Sequence, residues 1–261
     1  MKFYIPTYED CINIINNNPD MYFYENKYVI DNYNLSIFGY RYAKYNNFML
    51  PILDNPNINA LELKGICFVF DDDGSVFNHH LLLHKFWEID QYNHCRYELF
   101  KDKKIKNITT KEDGYLVSFL KLPNNKIISF TKHGIDETIN LKVNDFLSDK
   151  NYFDFINRCL NKNIQPIFEY IGTKMYVDYG DRKDLILLKL RCNKTGKYLD
   201  IENYKSEGIN MVEYHNKTLE QLIIDCKSEH NIEGYVVHFE DDTFLKLKTN
   251  WWVNEKNKKI L

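Results

Sequence analysis

Thr110-Lys111-Glu112-Asp113-Gly114 sets a lysine at the start of a short polar turn between two apolar runs. Ile105-Lys106-Asn107-Ile108-Thr109 precedes it, and the alternation of Leu116, Ser118 and Leu120 follows, so two strands are expected to flank the phrase. Such a phrase is most often just a turn entering a strand. Its sharper reading is a nucleophile. At an ordinary pKa of about 10.4 only about one lysine in a few thousand is neutral at pH 7. Neighbouring cations or loss of water would have to depress that value. Lys246 and Lys248, at alternate positions of a later strand, would share one face and could supply the cations.

Working outward, a helix is expected after Thr7, ending at Asn16-Asn17-Asn18-Pro19. Strands are expected at 28–30 and 35–38, then a loop around Pro51 and Pro56, then a buried strand over 62–70 turned by Asp71-Asp72-Asp73-Gly74. That acidic turn lacks the spaced ligands and distal glutamate of a calcium loop, so it reads as a hairpin. His80 and His84 have the spacing to share a helix face and suggest zinc. No glutamate accompanies them as in a metalloprotease helix, and His79, His80 and His84 read instead as a polar rim. A hairpin through Pro123-Asn124-Asn125 leads to a strand over 126–131 and then to Lys132-His133-Gly134. Helical patterns cover 136–147, 151–160 and 218–228, and strands are expected at 166–171, 185–191, 234–239 and 244–248. Antiparallel hairpins with helices inserted between them predict an α+β fold in a single domain over 1–261, with an N-terminal part to 105 and the core motifs in 106–252.

Composition excludes disorder: 44% of residues are hydrophobic and 15% aromatic. A net charge of −3 gives no global attraction to polyanions or anionic membrane, so such a ligand must meet a local concentration of positive charge. Lys101, Lys103, Lys104 and Lys106 form one such run, which by itself reads as a solvated loop. Six cysteines are scattered without a Cys-x-x-Cys pair and read as free thiols in a reducing compartment. The first residues lack a signal peptide's apolar core and no run approaches a membrane span, so a cytoplasmic monomer is expected, in the host cytoplasm if the source is viral.

Further phrases stand in order beside the first: Lys85-Phe86-Trp87, Gln165-Pro166-Ile167-Phe168-Glu169-Tyr170, Asn231-Ile232-Glu233-Gly234-Tyr235-Val236 and Leu245-Lys246-Leu247-Lys248 followed by Thr249-Asn250-Trp251-Trp252. With Phe38-Gly39-Tyr40-Arg41-Tyr42-Ala43, Ile186-Leu187-Leu188 and Thr195-Gly196-Lys197-Tyr198, the chain resembles the covalent nucleotidyltransferase superfamily of ATP-dependent ligases and capping enzymes. Within it, the resemblance is to the RNA ligases of the T-even phage tRNA-repair type, over nearly the whole chain.

The resemblance implies an antiparallel-sheet adenylation domain that joins RNA 5′-phosphate and 3′-hydroxyl ends, with ATP and Mg2+ or Mn2+ as cofactors and RNA ends as partner. Lys111 would attack the α-phosphorus of ATP and carry AMP. Lys246 and Lys248 would meet the α-phosphate and hold Lys111 neutral. Glu233 would bind the metal or its water, Glu169 the ribose hydroxyls, and Lys85 the outgoing phosphates. Asp113 and Gly114 would shape the turn, Trp252 would close the pocket, and Glu112, Gly234, Lys64, Lys132 and His133 complete the residues expected around the nucleotide.

Departures are equally specific. Lys64 stands where these ligases usually carry arginine, which loses the planar fork that grips a phosphate. His133 rather than a lysine precedes Gly134, leaving open whether Lys132 or His133 points at the nucleotide. Thr173-Lys174-Met175-Tyr176-Val177 lacks the usual arginine, so the adenine pocket is not named. Because the chain stops soon after Trp252, the family's helical C-terminal domain and the OB-fold domain of capping enzymes are expected to be absent. Two rivals remain: a capping-type guanylyltransferase, opposed by the Asn231 to Val236 phrase, and an RNA-end-binding protein without catalysis, suggested by Lys64 and His133.

Overall fold

The computed structural model describes residues 3–17, 22–41, 60–172 and 175–258. The expected loop at Pro51 and Pro56, Tyr42-Ala43, Asn18-Pro19 and Thr173-Lys174 lie outside these. Helix α1 (Tyr8–Asn16) starts where expected, because Thr7 Oγ1 accepts the Asp10 N–H and the Asp10 carboxylate accepts the Thr7 N–H. Strands β1 (Phe23–Ile30) and β2 (Tyr33–Tyr40) pair across a two-residue turn in which Asp31 and Asn32 both have positive φ, the conformation that twisted hairpins require. With β3 (Ile66–Phe70) and β4 (Val76–His80) they form a sheet ordered β1-β2-β3-β4. The acidic stretch before Gly74 is the hairpin turn expected of it, with Asp71 N–H on the Ser75 carbonyl. Strand β3 starts later than predicted, since Ala60–Glu62 forms a 3-10 turn and Gly65 takes φ 98°.

A second sheet combines β7 (Tyr115–Lys121), β8 (Ile127–Thr131), β9 (Ile164–Ile171), β10 (Asp184–Cys192) and β11 (Tyr198–Leu199) in the order β11-β10-β9-β7-β8. Helices α2 (Glu137–Leu147) and α3 (Lys150–Asn161), capped by Asp136 and Asp149, cover one face. Phe119, Phe168 and Leu185 there pack against Val143, Phe155 and Cys159. The third sheet holds β5 (Trp87–Glu88), β6 (Ile105–Lys111), β12 (Tyr214–His215), β13 (Gly234–Phe239) and β14 (Phe244–Lys248), ordered β12-β6-β13-β14-β5. Its Ile108, Tyr235, Val237 and Leu247 pack on Leu222 of α4 (Leu219–Ser228). By the period of two, Thr109, Val236, Lys246 and Lys248 must face the other way. The chain then forms α5 (Asn250–Lys258), a helix its polar sequence did not announce.

The histidines depart from both readings. Residues 81–86 form no helix, so His80, the last residue of β4, and His84 share no helix face. Nor do these two form a polar rim: each is 3% exposed, His80 Nδ1 lies 2.9 Å from Gln165 Oε1, and His84 Nδ1 lies 2.8 Å from the Tyr198 hydroxyl. Among the described residues no group of three metal-ligating side chains gathers. All six cysteines are free, as expected. No described helix is long and apolar enough to cross a membrane.

Candidate active site

Lys111 is the last residue of β6. It pairs with Gly234 on β13, which pairs with Lys248 on β14, and one step along the same face the row is Thr109, Val236 and Lys246. Three lysines therefore leave one sheet on one side. Opposite them, β9 contributes Glu169 and the turn after β8 contributes Lys132, and the space enclosed is a cavity of about 490 Å³. Each residue expected around the nucleotide lines it except Gly234. Gly234 acts through the backbone instead: at φ 149° a Cβ would lie 1.9 Å from the Leu247 carbonyl oxygen, so only glycine lets β13 approach β14 at this row.

The nucleophile candidate is not held neutral. Lys111 Nζ lies 2.7 Å from Glu233 Oε2, with the Glu233 side chain 6% exposed. Burial pulls the Lys111 pKa down, but Glu233 and then Glu169 outweigh it, and the value stands above that of an ordinary lysine. The neighbouring lysines act on one another instead. Burial, then Lys85 and Lys248, push Lys246 down to about 7, and burial with Lys132 and Lys248 brings Lys85 to about 8. Lys64 is driven well down by burial and by Lys85, Lys132 and Lys246. Burial raises the Glu169 carboxyl to about 8 against the pull of Lys111. The cavity thus crowds cations beyond what its carboxylates neutralise, the electrostatics of a site for a polyanion.

Glu112 and Asp113 turn toward the loop that carries Tyr176 and Tyr179. The Tyr179 hydroxyl donates to Glu112 Oε2 at 2.9 Å and accepts the Asp113 N–H, while Asp113 Oδ2 accepts the N–H groups of Tyr176 and Val177. Gly114 passes so close to β9 that a Cβ would meet the Tyr170 carbonyl oxygen at 2.4 Å. The turn is thereby fixed from both sides, as expected of Asp113 and Gly114. Trp252 stacks edge-on with Tyr176, and the ammonium groups of Lys248 and Lys256 sit 4.2 and 5.3 Å from its ring. Lys132 has Glu169, Lys111 and Glu233 as its charged neighbours, whereas the His133 ring turns to Tyr24.

The model of the RNA ligase family matches residues 64–256, which contain every one of these groups except Tyr24. The chain belongs to the RNA ligase family. Two solved forms of an archaeal ATP-dependent RNA ligase share its fold, with TM-scores of 0.60 and 0.61 at 13% and 12% identity, over 93% and 91% of this chain. The chain spans 62% and 61% of those proteins' length. A looser likeness is to a Naegleria gruberi RNA ligase variant solved with ATP and Mn, at TM-score 0.46 and 17% identity over 62% of this chain and 54% of that one.

The cavity holds more lysines than the motifs name. Lys189 lines it from β10, 5% exposed, its Nζ 2.8 Å from Asn107 Oδ1 and its pKa pushed down to about 7 by burial and then Lys106. Lys256 lines it from α5. The break of β-alternation at the bulge beside Leu188 hid the first, and the unforeseen helix hid the second. Two of the four lysines of the expected basic run are in ion pairs, Lys103 with Asp241 and Lys104 with Glu240.

Proposed function

We propose that this chain is an ATP-dependent RNA ligase that joins RNA 5′-phosphate and 3′-hydroxyl ends through an AMP carried on Lys111. The observation that supports it best is the row of Lys111, Gly234 and Lys248 across three strands, with Lys246 on the same face and Glu233 against the Lys111 ammonium. Lys111 Nζ attacks the α-phosphorus and pyrophosphate leaves. An RNA 5′-phosphate oxygen then displaces Lys111, and a 3′-hydroxyl displaces AMP. Each step shifts charge onto phosphate oxygens, and in this reading Lys246 and Lys248 stabilise it.

Before the first step the Lys111 ammonium must leave Glu233 and lose its proton. Lys85 receives the outer phosphates, Lys64 binds a phosphate during RNA joining, and Glu169 receives the ribose hydroxyls. A divalent cation, Mg2+ or Mn2+, fits at Glu233, because such ions are commonly held by one or two carboxylates together with substrate phosphates. When bound it would supply Lewis-acid stabilisation of the phosphate charge.

Incubation with α-labelled ATP and Mg2+ or Mn2+ is expected to label the protein through an acid-labile bond, and Lys111→Ala to abolish the label. Labelling by GTP in place of ATP would favour capping, and no labelling by either nucleotide would favour an RNA-end-binding protein.

A further inference from the structure

The turn after β8 sends its two basic side chains apart. Thr131 Oγ1 donates to the Gly134 carbonyl and accepts the His133 N–H, and Asn26 Nδ2 on β1 donates to the His133 carbonyl at 2.8 Å. Gly134, at φ 129°, sits against the Tyr28 hydroxyl, which a Cβ would meet at 2.0 Å. With its backbone pinned in this way, Lys132 faces the lysines around Lys111 while His133 stands exposed at the rim of the same cavity. One edge of its ring is tethered, with Nδ1 3.1 Å from the Tyr24 hydroxyl. Tyr24 is itself seated, because its ring passes over Gly39, where even a methyl group would come within 2.6 Å of the hydroxyl.

A held imidazole beside a held phenol is the type of support on which unstacked bases of single-stranded RNA rest. If the chain is a ligase, the RNA 5′-phosphate must reach Lys111, and the nucleoside carrying it is left at the cavity rim. We propose that Tyr24 and His133 form a stacking platform for the base of the first nucleotide of the 5′-phosphorylated strand, and that it acts in RNA joining rather than in formation of the lysyl-AMP. This rests on the ligase reading above. Because the ring is already tethered, little further ordering is needed when a base arrives.

The test is sealing of a pre-adenylated RNA carrying either a normal or an abasic 5′ nucleotide. Wild-type protein is expected to show a KM about tenfold lower for the normal strand, the size of one base stacked on an aromatic ring. His133→Ala should remove that difference by raising KM without changing kcat, and His133→Phe should restore it. Tyr24→Leu should raise the KM for pre-adenylated RNA while its rate of lysyl-AMP formation stays within about twofold of wild type. A wild-type protein that seals both strands equally, or an unchanged KM in His133→Ala, overturns the platform alone. A wild-type protein that forms lysyl-AMP with neither nucleotide and seals neither strand overturns the ligase reading and the platform together.

Discussion

At Gly234 the backbone accommodates a hydrogen atom and nothing larger. Its φ of 149° and the Leu247 carbonyl 1.9 Å from a would-be Cβ are independent obstacles, each of a kind that costs about 1–3 kcal/mol. Gly234→Ala is therefore expected to lower the urea midpoint by an amount equal to about 2–6 kcal/mol and to abolish lysyl-AMP formation, since the strand shift it forces separates Lys111 from Lys248. A variant with wild-type stability and labelling would refute this account of the row. Lys64 raises a question of specificity rather than of stability. Its ammonium sits 4.9 Å from the Phe86 ring, where a guanidinium could stack on the ring and also grip a phosphate with its fork. Lys64→Arg is expected to seal pre-adenylated RNA several-fold faster, and an equal or slower rate would show that the point charge suffices.

Among the elements, strand β10 does more than its alternation suggests. Arg191, fully buried, donates to both carboxylate oxygens of Glu62 at 2.8 and 2.6 Å and to the carbonyls of Leu82 and Gly196. Glu62 lies two residues before Lys64, so this fork ties the second sheet to the segment that carries a cavity lysine. Arg191→Met leaves a buried carboxylate unpaired and is expected to cost about 3–5 kcal/mol, whereas Glu62→Leu combined with Arg191→Met should recover most of it. Additive losses in denaturant titrations would refute the pairing. The strands β13 and β14 were legible to the residue, because their apolar alternation is uninterrupted; α2 and α3 were legible through their helical patterns, and α4 through Thr218 and its apolar spacing. Lys111, Lys246 and Lys248 stood out as a lysine in a turn and two lysines on one face of a later strand, whereas Glu233 was named only through the phrase that resembles the ligases. What escaped was non-local. Neither the parallel pairing of β5 with β14 nor the junction of His80 with Gln165 leaves a periodic trace, and the Lys111 to Glu233 contact joins side chains 122 positions apart in the numbering.

For the molecule as a whole, a net charge of −3 coexists with a cavity lined by eight lysines and five carboxylates, so the positive charge is concentrated inward. Burial and mutual repulsion hold Lys246 and Lys189 at about 7 and Lys85 at about 8, below the value they regain when unfolded. The unfolded chain thus binds more protons than the folded one between about pH 7 and 10.5, and these groups make the folded state more stable as pH rises through that window. Glu169, raised to about 8, works in the opposite sense from about pH 4.5 to 8, so a stability profile alone mixes the two. Nucleotide binding separates them, because a phosphate favours the protonated form of every group concerned. At pH 8 the lysines and Glu169 are partly deprotonated and must take up protons as the triphosphate enters. At pH 6 they are already protonated and take up almost none. Calorimetric titration of Lys111→Ala with ATP, in buffers of different ionisation enthalpy, is expected to show uptake of about one to two protons at pH 8, falling toward zero at pH 6. Proton release at pH 8, or uptake that does not change with pH, would mean that the cavity lysines are charged before the nucleotide arrives.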